Sequence, residues 1–429
     1  MGRTYASDVK PGKTLVKGWV DQIRDMGHLK FFRVKDRSGS VQITLKKGET
    51  YEKLLNLVSG LHREDCVTIE GKAKASKIVR EGVEVFPEKI GIVSKAETPL
   101  PFETREQIKT GQDRRFDFRF MDLRNPKVRA IFRIKDETVA GLREIFRSEG
   151  FVEVHTPVLQ SAGAEGGATM FPVQYYGRKA YLRQSPQLYK QMLMASGLDR
   201  VWEIGPAFRA EKFHTRRHVS EFVSVDAEMA WIESEEEVLG LLETMAVHTL
   251  KRVRKNCNDE LKLLKQSVKI PETPFKRLKY AEMIKVLQKE GVKIAYGDDT
   301  EDSQEKVLGE AMAKKGYEWF FVKAYPAKLK PFYIMQEGKL TKGIDFFSRG
   351  MELASGGQRE HRYGMLVKVM KEKGLRPEDF KFYVDSFRYG MPPHGGFGLG
   401  LERLVQQIAG VENIMDTIMF PRTPDRLVP

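Results

Sequence analysis

Cysteine is scarce in this chain, since Cys66 and Cys257 are the only two among 429 residues. They lie far apart and form no CxxC motif, which argues against a disulfide scaffold and against a cysteine-type zinc site. Long apolar runs are also missing: no stretch approaches the roughly 20 residues of a membrane span, and the N-terminal MGRTYASDVK has no apolar core. We therefore expect a cytoplasmic protein without a membrane partner.

Two familiar nucleotide-binding signatures are absent as well. The sequence contains neither a GxxxxGK(S/T) loop nor a GxGxxG segment after a strand, which excludes the commonest nucleotide-binding signatures. What it does contain is basic charge: 73 Lys and Arg against 59 Asp and Glu, a surplus of 14. Such a surplus favours a polyanionic partner, because phosphates recruit Lys and Arg through counterion release. A charged surface that binds nothing would give the same count.

Hydrophobic patterning in the first 97 residues predicts a small barrel. Short apolar-rich segments separated by turns are typical of β-strands, and a helical segment, 51–61, lies between the third and the fourth. Several closely spaced strands with one intervening helix favour an OB-fold. The predicted strands are 14–20, 31–36, 41–45, 66–75 and 83–93. The proline-containing stretch TPLPFE then begins a linker or hinge at 98–126.

From residue 127 to 429 the pattern changes to longer helices with strands between them. Apolar positions at helical spacing fill 127–149, and another helix is predicted to begin at Ser234, with Glu237 completing a capping box. Regular βαβ alternation is missing, so an α+β domain around an antiparallel sheet flanked by helices fits best. The stretch within about 258–345 is interpreted as a small insertion without an assigned role.

A first candidate site lies in the segment 200–231, which predicts a strand, a basic loop and a second strand. In the second strand Asp226 and Glu228 alternate with apolar residues, so acids line one face. Arg209 and the loop residues 216–218 add positive charge nearby. Acids beside arginines on a sheet face can bind a polyphosphate and its metal ion. A solvated sheet face with surface ion pairs is the alternative.

The segment 395–410 combines glycines with an amphipathic helix. Four glycines alternate with apolar residues and lead directly into the helix. They let a ligand approach the backbone closely, and Arg403 projects from the first turns, away from the apolar stripe. Glycines also serve bulges and close packing, which is the alternative here.

The segment 351–362 offers oxygen ligands and a cation. Glu352 and Ser355 could share a hard divalent cation, and Arg359 could clamp a carboxylate. A surface turn at Gly356-Gly357 is the competing interpretation of the same residues.

Together these segments resemble a known family. PAFRAE (206–211), followed by a basic loop and a strand, and the downstream GFGLGLER are similar to motifs 2 and 3 of class II aminoacyl-tRNA synthetases. A helix followed by FVEVHTP resembles motif 1, whose Pro157 the family places at a dimer interface. The barrel, GWV (18–20) and PLP (99–101) resemble the aspartyl, asparaginyl and lysyl subgroup in its archaeal-eukaryotic form. The resemblance spans nearly the whole chain and implies a homodimeric, ATP- and Mg²⁺-dependent ligase acting on tRNA.

The resemblance also implies an ATP site. Arg209 would hold the α-phosphate, Glu211 would meet the adenine amino group, and Phe222 would stack on the adenine. Arg403 would bind the γ-phosphate and Glu352 would ligate Mg²⁺, so the catalytic set is Arg209, Arg403 and Glu352. The implied metal ligands are Glu352 and Ser355. The implied ATP-binding residues are Arg209, Glu211, Arg217, His218, Val219, Phe222, Glu352, Gly400, Leu401, Glu402 and Arg403.

The amino acid is implied by QSPQLYKQ (184–191), which resembles the binding segment of aspartyl enzymes. Lys190 there, with Arg359, would place two cations around a side-chain carboxylate, and the neutral amide of asparagine would leave them uncompensated. An exposed helix lysine is the alternative for Lys190. L-Aspartate is therefore the expected substrate. The implied aspartate-binding residues are Glu165, Gln187, Lys190, Arg209, Asp226, Ser355 and Arg359.

The barrel carries a candidate surface for the anticodon. Phe31 shares a strand face with two cations, which suits stacking an unpaired base beside a phosphate, although an ordinary exposed phenylalanine is the alternative. By resemblance, Phe31, Gln42 and Glu88 read the anticodon of tRNA(Asp). Asp21 and Arg80 occupy regions where the family tunes recognition of the last anticodon base. Many relatives have an aromatic or imidazole near Asp21, so tRNA(Asn) stays open as a second acceptor.

Three other functions compete with an aspartate-specific enzyme. An asparaginyl-tRNA synthetase of the same fold is the nearest, and Lys190 argues against it. A non-catalytic nucleic-acid-binding paralogue is the second, although the catalytic set is present. An aspartate–ammonia ligase related to the catalytic domain is the third, but such an enzyme would not need the barrel.

Overall fold

The computed structural model describes residues 2–27, 29–48, 52–104, 110–161, 163, 170–212 and 215–429. The predicted site residue Glu165 lies outside them. The chain divides into two compact units, Met1–Val128 and Arg129–Pro429. Among the described residues, no helix combines the length and the apolarity needed to cross a bilayer.

The first unit contains a closed five-stranded barrel, as predicted, with the strand order β1-β2-β3-β5-β4. Its strands are β1 (Gly12–Asp25), β2 (Leu29–Lys35), β3 (Ser40–Lys46), β4 (Cys66–Ala75) and β5 (Val83–Ser94). The predicted helix is α1 (Glu52–Ser59), between β3 and β4. Apolar residues at every second position, such as Phe32 and Val34, fill the interior and are fully buried. Two short helices follow the barrel, α2 (Gln112–Asp117) and α3 (Arg119–Asp122), inside the predicted linker.

The second unit is built on an eight-stranded sheet. Its strands are β6 (Val152–Glu153), β10 (Arg200–Phe208), β11 (Glu221–Ala230), β12 (Lys276–Lys279), β13 (Trp319–Lys323), β16 (Gly343–Ser348), β17 (Met351–Gln358) and β18 (His394–Gly400). They lie in the order β12-β13-β16-β17-β18-β11-β10-β6. All neighbours are antiparallel except the outermost pair at each edge, so the predicted α+β class is confirmed. A small sheet joins β7 (Leu159–Gln160), β9 (Arg178–Leu182) and β8 (Pro172–Tyr175), and β14 (Gln336–Glu337) pairs with β15 (Leu340–Thr341).

Helices α4 (Pro126–Ser148), α6 (Glu236–Asn256) and α12 (Leu401–Ala409) contribute their apolar faces to the main core of the sheet. The other helices are α5 (Gln187–Met194), α7 (Asn258–Leu263), α8 (Tyr280–Lys289), α9 (Asp302–Ala313), α10 (Tyr363–Glu372) and α11 (Lys381–Arg388). The capping box predicted at Ser234 is wrong. Helix α6 begins two residues later, and the Glu237 carboxylate instead accepts a hydrogen bond from the Glu233 backbone N–H at 2.7 Å.

Strand β11 separates the core from the candidate site. Val225 and Ala227 pack into the core with the three helices, so Asp226 and Glu228 face the opposite side of the sheet. The predicted alternation is therefore confirmed. The solvated acidic face is wrong, because Asp226 is 3% exposed and Glu228 is fully buried. These acids need partners inside the protein.

Candidate active site

A cavity of about 970 Å³ lies on the acidic side of the sheet. Residues of β11, β17 and β18 form its floor, and the start of α9 with the loop before it closes one side. The cavity brings together thirteen predicted site residues from five separate segments of chain. They are Gln187, Arg209, Arg217, His218, Val219, Phe222, Asp226, Glu352, Ser355, Arg359, Gly400, Glu402 and Arg403. Of the described residues predicted to bind ATP, aspartate or the metal, Lys190, Glu211 and Leu401 do not line it.

The floor is open because glycines of β18 lie opposite the acids of β11. Gly398 pairs with Asp226 on one side and with Ser355 on the other, so these three residues lie abreast. A Cβ on Gly398 would stand 3.1 Å from Asp226 Oδ1. The predicted alternative for Gly356-Gly357, a surface turn, is wrong, because both lie within β17 and are buried. A Cβ on Gly356 would meet the backbone of β18 at 2.2 Å.

One end of the cavity is cationic. Arg403 donates from Nη1 to the Glu352 carbonyl at 2.9 Å, and its Nη2 lies 3.1 Å from His218 Nε2. Burial, and then the neighbouring Arg403 charge, lowers the pKa of His218, so the imidazole is neutral and accepts from Arg403. Arg217 is held by Glu305 at 3.0 Å. This end can therefore bind an anion such as a polyphosphate chain.

Arg209 is the least engaged cation at the cavity. Its guanidinium lies 5.3 Å from the centroid of the Phe222 ring. No carboxylate pairs with it among the residues that the structure describes. A ligand that needs a positive charge and an aromatic face together would meet both here. Glu211 follows in the same loop, half-buried and outside the cavity lining.

Carboxylates crowd beneath the cationic end. Burial, followed by repulsion from Asp345 and Glu305, raises the pKa of Glu352 to about 8. Burial also raises the pKa of Glu305 to about 7, against the lowering effect of Arg403 and Arg217. Lys330 donates to both oxygens of Asp345, at 2.5 and 2.6 Å, and lies 3.4 Å from Ser355 Oγ. A cation bound at Glu352 would relieve this crowding.

Residues in the stretch interpreted as an insertion belong to the site. β12 and β13 extend the main sheet, and Lys330, Asp345 and Glu305 line the cavity. Sequence reasoning missed these three residues. The signal available was weak, because isolated charged residues between helices are common and only the pairing of β16 with β17 brings Asp345 beside Ser355.

The other end of the cavity holds a buried cluster of four charges. Lys190 donates to Asp226 Oδ1 at 2.9 Å and to the Phe397 carbonyl at 2.7 Å, and lies 3.4 Å from Glu228. Arg359 binds both oxygens of Glu228, at 2.8 and 3.2 Å. The two positive and two negative charges balance, which is how buried ions persist in a protein.

The position of Lys190 corrects one alternative. The exposed helix lysine is wrong, because Lys190 is 3% exposed. Protein oxygens bind the Lys190 ammonium, which does not line the cavity, and its contact with the substrate's carboxylate stays a prediction. Arg359 does line it, and its Nη1 makes no hydrogen bond to any described residue.

His394, next to this cluster, predicts a pH effect on stability. Burial lowers its pKa to about 4, against the raising effect of Glu228, while Arg359 and His361 lower it further. In the unfolded state His394 therefore binds a proton below pH ~6.5, whereas in the folded state it binds one only below about pH 4. Stability should fall by about 2 kcal/mol between pH 7 and pH 5 from this group alone. Denaturant unfolding at both pH values should show a smaller fall for His394→Met, and an equal fall would contradict this assignment.

On the barrel, the structure brings Phe31 and Gln42 onto one outer face. Both are half-buried, on the adjacent strands β2 and β3. The Gln42 amide donates to Thr44 Oγ1 at 3.2 Å. Glu88, on β5, is exposed and lies 3.7 Å from Lys72. Asp21 lies in an irregularity of β1, 3.4 Å from Lys35 Nζ, and Arg80 is exposed in the turn before β5.

Comparisons with known proteins agree with this geometry. Residues 14–93 match an OB-fold nucleic acid binding domain. The chain is 46% identical over 421 residues to the aspartate–tRNA(Asp) ligase of Pyrococcus abyssi, which covers 97% of this chain and 96% of the relative. It is 44% identical over 430 residues to the aspartate–tRNA(Asp/Asn) ligase of Methanopyrus kandleri, covering 99% of both.

Solved structures of two aminoacyl-tRNA synthetases share the fold of this chain. The crystal structure of the asparaginyl-tRNA synthetase from Pyrococcus horikoshii complexed with asparaginyl-adenylate superposes with a TM-score of 0.94, at 34% identity and over 100% of both chains. An aspartyl-tRNA synthetase from Entamoeba histolytica has a TM-score of 0.88 at 32% identity, over 100% of this chain and 93% of the other. Residues 111–424 match the class II tRNA synthetases (D, K and N), and the chain belongs to that family.

Proposed function

We propose that this chain is an aspartate–tRNA ligase that activates L-aspartate with ATP and transfers it to the 3′-terminal adenosine of tRNA(Asp). The observation that carries the proposal is Arg359, a buried guanidinium that lines the cavity with Nη1 unengaged by any described residue. A guanidinium in this position suits the side-chain carboxylate of aspartate. Relatives named as aspartate–tRNA ligases support the same substrate.

The chemistry has two steps. In the first, the α-carboxylate of aspartate attacks the α-phosphorus of ATP; an O–P bond forms, the bond to the bridging oxygen breaks, and pyrophosphate leaves. Arg209, which has no described carboxylate partner, would stabilise the charge that develops on the α-phosphate. In the second, a ribose hydroxyl of the terminal adenosine attacks the aspartyl carbonyl and AMP leaves. Positioning and charge neutralisation suffice without an enzyme nucleophile.

ATP fits the cationic end of the cavity. Adenine would stack on Phe222, and the β- and γ-phosphates would meet Arg217, His218 and Arg403. Gly400 presents backbone without a side chain at the floor, where a Cβ would meet the Arg403 side chain at 3.5 Å. The remaining residues proposed for ATP are Glu211, Val219, Leu401 and Glu402.

A magnesium ion fits the carboxylates at that end. Among the described residues no group of three or more metal-binding side chains forms a site. Mg²⁺ does not need one, since it commonly takes one or two carboxylates, phosphate oxygens and water. Glu352, with its pKa raised by burial and by neighbouring acids, would hold the ion with Ser355. When bound, the ion would neutralise phosphate charge.

The amino acid fits the opposite end. Arg359 would bind the side-chain carboxylate, and Gln187 and Ser355 would add hydrogen bonds. The carboxylates of Asp226 and Glu165 would both bind the ammonium group of the substrate. Lys190 acts through Asp226, whose carboxylate it holds in place at 2.9 Å.

A tRNA anticodon fits the outer face of β2 and β3. Phe31, Gln42 and Glu88 would contact its bases, and Asp21 and Arg80 would decide how strictly the last base is read. We propose that the protein is cytoplasmic and forms a homodimer. The motif 1 segment supports the dimer, because it exposes apolar side chains that a second copy could cover. Val152 and Leu159, on either side of Pro157, are 44% and 42% exposed.

Replacing Phe31 with alanine should raise the KM for tRNA by about tenfold, because stacking one base contributes roughly 1–3 kcal/mol. Activation of aspartate, measured by pyrophosphate exchange without tRNA, should not change. Tyr5→Ala is the matched control, since Tyr5 is an aromatic of the same barrel flanked by Arg3 and Arg37, at 4.8 and 4.7 Å. An equal rise in both variants would contradict a specific role for Phe31.

Attachment of labelled aspartate or asparagine to purified tRNA(Asp) and tRNA(Asn), with ATP and Mg²⁺, tests the proposed function. Aspartate on tRNA(Asp) is the expected product, and aspartate on both tRNAs would mean relaxed anticodon reading at Asp21 and Arg80. The similarity to an asparaginyl enzyme makes asparagine the necessary second substrate in this assay. Attachment of asparagine, or of neither amino acid, would overturn the proposal.

A further inference from the structure

Behind Arg359, buried side chains form a continuous hydrogen-bonded chain. Gln187 Oε1 accepts from Arg359 Nη2 at 3.3 Å, and Gln187 Nε2 donates to Gln191 Oε1 at 2.8 Å. Gln191 Oε1 also accepts from the Tyr383 hydroxyl at 3.1 Å. Gln191 Nε2 lies 2.9 Å from His394 Nε2, and His394 Nδ1 lies 2.9 Å from the Pro392 carbonyl. The residues whose side chains form it are each at most 4% exposed: Arg359, Gln187, Gln191, Tyr383 and His394.

This chain has one consistent direction. The Pro392 carbonyl can only accept, so His394 Nδ1 carries the proton and Nε2 must accept from Gln191. That fixes the amide nitrogen of Gln191 toward His394 and its oxygen toward Gln187. Gln187 is then fixed with its oxygen toward Arg359. Reversing either amide would set donor against donor inside the protein, which costs a buried hydrogen bond.

The direction matters because Gln187 and Arg359 line the cavity where the amino-acid side chain is proposed to bind. With the Gln187 oxygen turned toward Arg359, the N–H groups left without a described partner are the second N–H of Gln187 and Nη1 of Arg359. Both are donors. A carboxylate only accepts and satisfies them, whereas the NH₂ of an amide would face them as a donor.

We propose that His394 and Gln191 are positioning residues that turn N–H donors of Gln187 and Arg359 toward the amino-acid side chain and thereby select aspartate over asparagine. The inference rests on the proposed function, since it needs an amino-acid side chain at Gln187 and Arg359. Neither residue lines the cavity: Gln191 is fully buried, and His394 lies one amide farther from the cavity. Their effect is carried only by the orientation of Gln187.

The test compares two substitutions at Gln191 by amino-acid-dependent pyrophosphate exchange. Gln191→Leu removes the directional link and should lower the ratio of kcat/KM for aspartate over asparagine by about tenfold, the effect of one lost or reversed hydrogen bond. The KM for ATP should not change, because ATP is proposed to bind at the other end. Gln191→Glu keeps an acceptor toward Gln187 and should retain the wild-type ratio.

Two further variants separate direction from packing. Tyr383→Phe removes a donor to Gln191 but leaves His394 to set the amide, so the ratio should stay unchanged. His394→Met removes the acceptor that sets the amide and should lower the ratio, which keeps the test available if Gln191→Leu does not fold. An unchanged ratio in folded Gln191→Leu or His394→Met, or an equal fall in Gln191→Glu, would overturn the inference. Wild-type protein that activates neither amino acid would instead overturn the proposed function.

Discussion

Replacing Arg209 with alanine should slow aspartyl-adenylate formation by about a hundredfold to a thousandfold, the usual effect of removing one donor to a developing oxyanion. Arg209 lines the cavity at the end of β10, and no described carboxylate pairs with it. Its charge is therefore available to the α-phosphate. Single-turnover measurement of adenylate formation reports the chemical step directly, and kcat should fall more than the KM for ATP rises.

The same substitution should leave folding almost untouched. Removing Arg209 exposes no buried acid, since its recorded contact is with the Phe222 ring. Arg216→Ala is the matched control: it lies in the same basic loop, but its side chain is 74% exposed and pairs with the exposed Glu412 at 3.3 Å. That variant should keep near wild-type activity, because exposed ion pairs contribute little. Comparable losses in both variants would show that general basic charge, rather than Arg209, supports the reaction.

Replacing Arg359 with methionine should lower kcat/KM for aspartate by about a thousandfold. The side-chain carboxylate of bound aspartate would lose its guanidinium partner, and truncating one partner of a buried charge pair costs roughly 3–5 kcal/mol. Arg359 is the cavity-lining cation of the buried cluster, and it binds both oxygens of Glu228. Pyrophosphate exchange at saturating ATP measures the loss. Arg359→Lys should recover only part of it, because a lysine keeps the charge but cannot reproduce the bidentate contact.

Stability and recognition can be separated at Arg359. Arg359→Met should also lower the free energy of unfolding by about 3 kcal/mol, because Glu228 is left buried with Lys190 as its remaining cation. Adding Glu228→Gln should restore much of that stability without restoring aspartate activation. If the double variant recovered activity, Arg359 would be a structural residue and not a ligand for the carboxylate. Arg376→Ala, at an exposed pair with Asp379, serves as the neutral control.

Local patterns predicted most of the architecture. The strands of the barrel, its single helix, and the buried stripes of α4, α6 and α12 depend on spacings within one segment, which the sequence displays directly. The alternation of Asp226 with Val225 also shows which side of β11 is apolar. The start of α6 was missed by two residues, because an acid near a helix end can bind more than one backbone N–H.

Long-range pairings were beyond these patterns. Motif similarity indicated that Lys190 belongs near the substrate, but not that Asp226 and Glu228 would neutralise it first. Lys330 and Asp345 reach the cavity only because β16 pairs with β17, a register that no spacing in the sequence specifies. Individual charged residues in a stretch of average composition carry no sign of which strands will lie beside them.

The glycines of β18 restrict how this enzyme can change over evolutionary time. A Cβ on Gly396 would stand 2.4 Å from Glu228 Oε2 and 2.1 Å from a backbone oxygen of β11. Any larger residue there would displace the acid that Arg359 and Lys190 both contact. A single mutation at Gly396 is therefore expected to be lost, and a lineage that shifts to another amino acid must do so through side chains that border the cavity without supporting its floor. Variation among descendants should accumulate at the rim and leave Gly396 unchanged.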